Sequence, residues 1–429
     1  MARRDLPWNN LHFIGIGGVG MAGLALICRD LGISVRGSDK AASKNIDLLR
    51  ERGAEVAVGH DAAYVQNPDL VVYSSAVGAD NPEYAAAVAR GLPLMLRGEF
   101  LAALAPCWPT VVSIAGSHGK TTVTAMLAHI LLHAGREPGY LIGGAVPDLS
   151  APAAAGDGAL LVAEVDESDG TQAAMQSSYA IVINAEDDHC WSVGGEAALR
   201  QCFRTFADNA AELLCYATDE THALFDDHPN VTFVDVTGVK ALDLLVPGRH
   251  NRINATLAVC QAVKLGVAES AAIDAVGSFQ GVDRRLSLRY SGAVDVIEDY
   301  AHHPSEVEAG ISALREHYVD RPLRIVFQPH RFERVARYAA DFGRALSAAD
   351  DVIVIPTFNA WLDDAHLADP QAIIGAISGV PVRYCDFDFE KLATELVSTA
   401  RDGDVIAIMG AGTVTQLTSL ITAELATTG

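Results

Sequence analysis

This 429-residue chain has little cysteine, little basic charge and no long apolar run. Its seven cysteines, Cys28, Cys107, Cys190, Cys202, Cys215, Cys260 and Cys385, are scattered and odd in number, and none forms CxxC. That argues against a disulfide framework or a cysteine zinc site, and for a reducing compartment. Lysine and arginine total 31 against 54 acids, a formal net charge of -23. Such a chain repels polyphosphate backbones at long range, so nucleic acid is not an expected partner. A nucleotide can still bind where a local loop or a bound metal outweighs the net charge. No run reaches the roughly 18 apolar residues of a membrane span, and the opening MARRDLPWNN has no apolar signal core. The expectation is a cytoplasmic enzyme with no membrane partner.

Half of the residues are hydrophobic and a fifth are charged, enough apolar material for several cores. The length suits two to four domains of roughly 100–200 residues. Short apolar runs alternate with helical patterns, which predicts an α/β fold with parallel sheets. LHFIGI, ISVRGSD and DLVVYSSAV read as strands of a first segment, with a helix from about Gly20 to Asp30. TVVSIA, ALLVAEVDE and YAIVINAED read as strands of a second. VDVIEDY, LRIVFQPH, DVIVIP and DVIAIMGAG belong to a third. The expectation is three domains, 1–108, 109–290 and 291–429: a Rossmann-like first, a P-loop ATPase-type second and a Rossmann-like third.

IAGSHGKTTV is the strongest local signal. Gly116, Ser117, His118, Gly119, Lys120, Thr121 and Thr122 follow an apolar strand and precede a helix. Glycines let backbone N–H groups approach phosphates, the lysine meets the terminal phosphates, and a threonine hydroxyl holds Mg²⁺. The usual pattern has a glycine where Ile114 stands, so this is a shortened variant. The competing reading is a glycine turn with a chance lysine, which the strand–loop–helix context disfavours. A Mg²⁺ nucleotide needs hard oxygen ligands. VAEVDESD offers Glu164 at a strand end, then Asp166, Glu167 and Asp169. Most of these acids read as a solvated loop, and Glu164 is the metal candidate. INAEDDHC adds acids and His189, again after a strand.

A second glycine loop lies about a hundred residues earlier. Gly15, Gly17 and Gly20, with Gly18 extra, fit G-x-G-x-x-G, and Asp39 follows at the end of the next strand. That pattern suits NAD, or any ligand with a pyrophosphate and a ribose, including a UDP-sugar. It also suits a tight strand–helix turn with no ligand. In the third segment EDYAHHPSE brings Asp299, Tyr300, His302 and His303. QPHRFERV brings His330, Arg331 and Arg334. Arginines at a strand end suit a carboxylate partner. A cationic first turn opposes the helix dipole, which weakens the reading of these arginines as a plain solvated helix start.

Taken together, HFIGIGGVGMAGLA, YSSAV, AGSHGKTT, EVDESDG, GRHNRINA, GVDRR, DYAHHPSEV, FQPHRFER and MGAG occur in the order of the Mur ligases of peptidoglycan synthesis, and the whole chain resembles that family. The resemblance implies an ATP-dependent amide ligase with two nucleotide loops for two nucleotides. It assigns UDP contacts to the first loop with Ser74, Ser75 and Ala76. It assigns Lys120 to the β- and γ-phosphates, and Thr121, Glu164 and His189 to a pair of Mg²⁺ ions, with Mn²⁺ as an alternative. Asn251 and Asn254 resemble the adenine contacts, Asp299 the ribose contact, and Arg285 the arginine reaching the γ-phosphate. Tyr300, His330, Arg331 and Arg334 resemble the amino-acid pocket. Catalysis is thereby assigned to Lys120, His189, Arg285 and His330. The implied substrates are UDP-N-acetylmuramate and L-alanine, and the implied assembly a monomer or weak homodimer.

Three stretches depart from the family. TFNAWLDD replaces a VYAAGE-like run, Thr413 stands where an acid is usual after MGAG, and TQAAMQSS replaces a Ser-Phe stretch. The first and third leave glycine, serine or a recycled peptide as alternative amines. GIGGVGMAG favours the alanine-adding branch. A nicotinamide oxidoreductase would leave Lys120, Glu164 and the third segment unused. A non-catalytic sugar-nucleotide sensor would have no need of the metal set.

Overall fold

The computed structural model describes residues 6–167, 170–186, 190–235, 242–358 and 370–428. Three sheets follow one another along the chain. The first holds β1 (Asn10–Ile14), β2 (Ser34–Asp39), β3 (Glu55–Val58), β4 (Leu70–Tyr73) and β5 (Leu94–Leu96), ordered β3-β2-β1-β4-β5 and all parallel. The order reverses at β1/β4, and such a switch point opens a crevice at the carboxyl ends of the strands.

The second sheet holds β6 (Thr110–Ala115), β7 (Gly139–Leu141), β8 (Ala153–Ala154), β9 (Leu160–Glu164), β10 (Ser177–Val182), β11 (Ala210–Tyr216) and β12 (Val231–Val234). Its order is β12-β11-β10-β6-β9-β7-β8, with only β8 antiparallel. The third holds β13 (Ser287–Tyr290), β14 (Asp295–Asp299), β15 (Leu323–Phe327), β16 (Asp351–Val354), β17 (Val382–Tyr384) and β18 (Val405–Met409), ordered β13-β14-β18-β15-β16-β17. There β13 is the antiparallel edge.

The chain divides into two compact units. Met1–Leu244 with Arg252–Gln280 makes one, and Leu245–Asn251 with Gly281–Gly429 the other. The first two sheets fall in the first unit and share one apolar core, running from Leu11 and Phe13 through Phe100 and Trp108 to Phe203 and Phe225. In the second unit alternate residues of the four inner strands, β14, β18, β15 and β16, feed two cores. Ile325 and Phe327 lie in one, Val326 in the other. A strand buried on both faces reads as a near-continuous apolar run, which is why VIAIM has no polar residue and LRIVF only Arg324, partly exposed near the strand start. None of the described helices is long and apolar enough to cross a membrane.

Candidate functional site: two glycine loops and a polar strand-end cluster

The loop after β6 is built from the backbone outward. Gly116 and Gly119 have φ of +146° and +82°, which L side chains rarely adopt. A Cβ on Gly119 would also stand 2.8 Å from Asn254 Oδ1. The turn feeds the helix Lys120–His133, buried from Thr121 to Leu131. The end of β10 holds the loop from the side. Ser117 Oγ donates to Glu186 O (2.9 Å), His118 N donates to Asn184 Oδ1 (2.9 Å), and Asn184 Nδ2 donates back to His118 O (3.3 Å).

Lys120 folds over this loop. Its Nζ donates to Gly116 O (2.6 Å) and to Glu167 Oε2 (2.7 Å). Burial pulls the ammonium pKa down, but Glu167, Asp166 and Glu164 outweigh it and the net shift is upward, so the lysine stays charged. Glu167 is 1 % exposed. Burial first, then Asp166, pushes its carboxyl up to about 7 against the pull of Lys120. Glu164, half-buried at the end of β9, accepts from Gly143 N at 2.8 Å. His189 lies outside the described residues, as does Asp169.

The first loop leaves β1 at Gly15, with φ +80°. The helix Val19–Asp30 that follows has no side-chain cap and no acid in its first turn. Such an N-terminus favours an anion. Asp39 Oδ2 accepts from Gly17 N (2.8 Å), so this carboxylate ties down the loop itself. After β4 the chain turns at Ser74, where Val77 N donates to Ser74 O (2.9 Å). Ser74 Cβ lies 3.5 Å from where a Gly15 Cβ would be, while Ser75 and Ala76 are exposed. The segment 74–77 is a turn, so the strand read over DLVVYSSAV stops at Tyr73.

One residue the sequence reading missed joins the two loops. Arg97 opens the helix Arg97–Leu104, and its Nη1 would lie 2.7 Å from a Cβ on Gly20. Its Nη2 pairs with Asp166 at 2.8 Å. One guanidinium therefore lies against Gly20 of the first loop and pairs with Asp166, next in sequence to the Glu167 that holds Lys120. A cation at a helix start opposes the dipole, and that was the available signal. Glu167 was read as a solvated acid, and only tertiary packing reveals its partner.

In the second unit the strand ends of β14, β15 and β18 collect polar groups. Arg285 Nη1 pairs with Glu306 Oε1 at 3.1 Å. Glu306 also accepts from His302 N (3.0 Å) and His303 N (3.3 Å) at the start of the helix Pro304–His317. Asp299 is buried there too; desolvation first, then Glu306, pushes it up to about 7 against Arg285. The guanidiniums of Arg284 and Arg285 lie 4.7 Å and 5.2 Å from the Tyr300 ring centre. Arg284 and Leu286 have φ of +61° and +46°, and non-glycine residues held there mark strain that surrounding structure must over-determine.

His330 stacks on Phe358 at 5.8 Å and meets the His302 ring edge-on at 5.5 Å. Arg334 is fully buried, its Nη1 3.2 Å from His330 Nδ1. Arg331 has φ +65° at the start of the helix Phe332–Leu346. The fold thus brings Tyr300, His302, His330, Arg331 and Arg334 to one sheet end. Thr413 has a local reason: its Oγ1 accepts from Gln328 Nε2 (3.1 Å), while Gln328 Oε1 accepts from Val414 N (2.9 Å). Asn359–Asp364 of TFNAWLDD lie outside the described residues. Asn251 and Asn254 share the helix Arg249–Lys264. Asn251 Nδ2 donates to Pro247 O (2.8 Å), and Asn254 abuts Gly119.

A glycine loop at a switch point, a lysine-bearing loop before a buried helix and a cationic strand-end cluster define a nucleotide-using ligase built on three α/β sheets. The sequence profile described as "Mur ligase family, catalytic domain" matches residues 10–106, and "Mur ligase, glutamate ligase domain" matches 284–412. The chain belongs to the Mur ligase family. Among its curated relatives, the UDP-N-acetylmuramate–L-alanine ligase of Renibacterium salmoninarum is 38% identical, over 97% of this chain and 96% of its own length. The enzyme of the same name from a Nocardioides species is 39% identical, over 95% and 94%. The crystal structure of UDP-N-acetylmuramate-alanine ligase from Thermotoga maritima superposes with a TM-score of 0.84 at 27% identity, covering 98% of this chain and all of that one.

Proposed function

We propose that this protein is an ATP-dependent ligase joining L-alanine to the lactyl carboxylate of UDP-N-acetylmuramate in peptidoglycan precursor synthesis. Relatives of that name, aligned over nearly the full chain, support the substrates. The single structural observation behind the chemistry is the buried Lys120–Glu167 pair on a glycine loop, a charged lysine held where phosphates would lie.

A carboxylate is a poor acyl donor because oxide is a poor leaving group. A lactyl carboxylate oxygen attacks the γ-phosphorus of ATP, the bond to the bridging oxygen breaks, and ADP leaves. The neutral amine of alanine then attacks the acyl carbon, loses a proton, and phosphate departs with its electron pair. Lys120 holds the β- and γ-phosphates, and Arg285 balances charge on the transferring group. Asn251 and Asn254 are assigned to adenine, and Asp299 to the ribose. Gly15, Gly17, Gly18, Gly20, Asp39, Ser74, Ser75 and Ala76 are assigned to the UDP moiety. His330 and Tyr300 are assigned to the alanine site, and Arg331 and Arg334 to its carboxylate.

Thr121 and Glu164 offer the hard oxygens that Mg²⁺ takes, and Glu164 spends one oxygen on Gly143 N–H and keeps the other. With His189 they would hold two Mg²⁺ ions, or Mn²⁺, which when bound neutralise phosphate charge. The domain limits proposed are 1–108, 109–290 and 291–429.

The test is phosphate release from ATP with UDP-N-acetylmuramate and a panel of L-alanine, glycine, L-serine and L-alanyl-γ-D-glutamyl-diaminopimelate. Release strongest with alanine is expected. Release only with another amine would move the specificity while keeping the chemistry. No release with any would overturn the ligase reading in favour of a sensor.

A further inference from the structure

We infer that Glu83 is a positioning residue for the first glycine loop, acting through Ser38, and that it sets affinity for the sugar nucleotide. This rests on the reading of that loop as the sugar-nucleotide site. Glu83 lies in the first turn of the helix Pro82–Ala89, whose N-cap Asn81 accepts from its N–H. Its side chain is fully buried and lies between β1, β2 and the segment after β3. His12 Nε2 and Ser38 Oγ hydrogen-bond to its two oxygens, and His60 Nδ1 lies 2.9 Å from Oε1. His60 Nδ1 is also 2.9 Å from Ser38 Oγ.

The register explains why these groups meet. Ile14 of β1 pairs with Ser38 of β2, so His12, Ile14 and Ser38 share one face of the sheet. His12 Nδ1 finds no hydrogen-bond partner among the described residues, so Nε2 is the ring nitrogen that donates to Glu83. Burial pushes the Glu83 carboxyl up. Hydrogen bonds from His12, Ser38 and His60 outweigh it, and the net shift is downward, so Glu83 is a buried carboxylate satisfied on three sides.

What this carboxylate holds is Ser38, and what Ser38 holds is the loop. Ser38 O accepts from Gly15 N (2.9 Å) and from Ile16 N (3.0 Å). The next residue, Asp39, takes Gly17 N. Three consecutive loop amides are thus fixed by two residues of β2, one of them pinned from behind by Glu83. These amides are turned away from a ligand, and the first turn of the helix Val19–Asp30 is left to receive an anion. The proposed chemistry does not use His12, His60 or Glu83, so their concentration behind the loop calls for this separate account.

The test compares Glu83→Gln and Ser38→Ala with the parent full-length enzyme. Glu83→Gln would place an amide donor against ring and hydroxyl donors. Ser38→Ala removes only the hydroxyl, keeps the carbonyl, and carries the test should the first variant not fold. Each variant is expected to raise the KM for UDP-N-acetylmuramate about tenfold, with kcat and the KM for ATP within about twofold. An unchanged sugar-nucleotide KM, or equal rises in both KM values, would overturn the inference. Deuterium exchange of the peptide 11–20, read by mass spectrometry without ligand, separates this from failure of the site assignment. If the parent enzyme does not bind UDP, the assignment of the loop falls. Faster exchange at 15–17 in Ser38→Ala would still support the positioning role, and unchanged exchange would refute it.

Discussion

Lys120 is where the charge of the second loop is decided. Its ammonium is committed to Glu167 and to the loop carbonyls, so arriving phosphates exchange one set of oxygen partners for another at little reorganisation. Lys120→Ala should lower phosphate release by about a thousandfold or more while sugar-nucleotide affinity, measured by calorimetry, stays nearly unchanged. Normal turnover in that variant would refute the assignment. Asp299 gives a second prediction at this scale. Its pKa is raised from 3.8 to about 7. A carboxyl raised in the folded state stabilises fully below its unfolded pKa, and that contribution is lost as pH rises through the folded value. Asp299→Asn removes the loss. Its Tm relative to the parent enzyme should therefore climb as pH goes from about 4 to about 8. A difference that does not vary with pH would show that Asp299 titrates normally.

At the scale of elements, the first two sheets are connected through the start of the helix Arg97–Leu104. Asp166 is adjacent in sequence to Glu167, so the charge on Arg97 reaches Lys120 through two acids. Arg97→Ala should remove one cation from beside Asp166, push Glu167 further up and raise the KM for ATP about fivefold. Adding Asp166→Asn should restore most of it, and additive losses in the double variant would show that the two residues act separately. Much of this architecture was legible in the sequence. TVVSIA, LRIVF and DVIVIP are near-continuous apolar runs because parallel strands are buried on both faces, and the buried exception, Ser113, is hydrogen-bonded to Ser177 (2.7 Å). The two loops carry their glycines for reasons of φ. AAELLCY (210–216) became β11 without being read as a strand, since alanine and leucine suit a helix equally well. The pairing of Glu167 with Lys120 across 47 positions left no local trace. Arg97 left one, a cation at a helix start, that composition alone would treat as a solvated end.

For the molecule as a whole, the question is whether the metal implied by its family also supports the fold. The structure argues that it does not. Each unit has apolar cores of its own. Among the described residues, three acids near the second loop already have protein partners: Glu164 takes Gly143 N–H, Asp166 takes Arg97, and Glu167 takes Lys120. Each of these three acids therefore has a protein partner before any cation arrives, and a cation would add little to the nucleotide-free protein. Chelation with EDTA should accordingly abolish phosphate release while shifting the Tm of the nucleotide-free protein by less than about 2 °C. Mg²⁺ alone should leave Tm in place. ATP together with Mg²⁺, at about a hundred times its dissociation constant, should raise it by several degrees through binding to the folded state alone. A large fall in Tm on chelation without nucleotide would mean that a cation holds the acids together in the resting protein, and the Lys120–Glu167 pair would then have to give way to it.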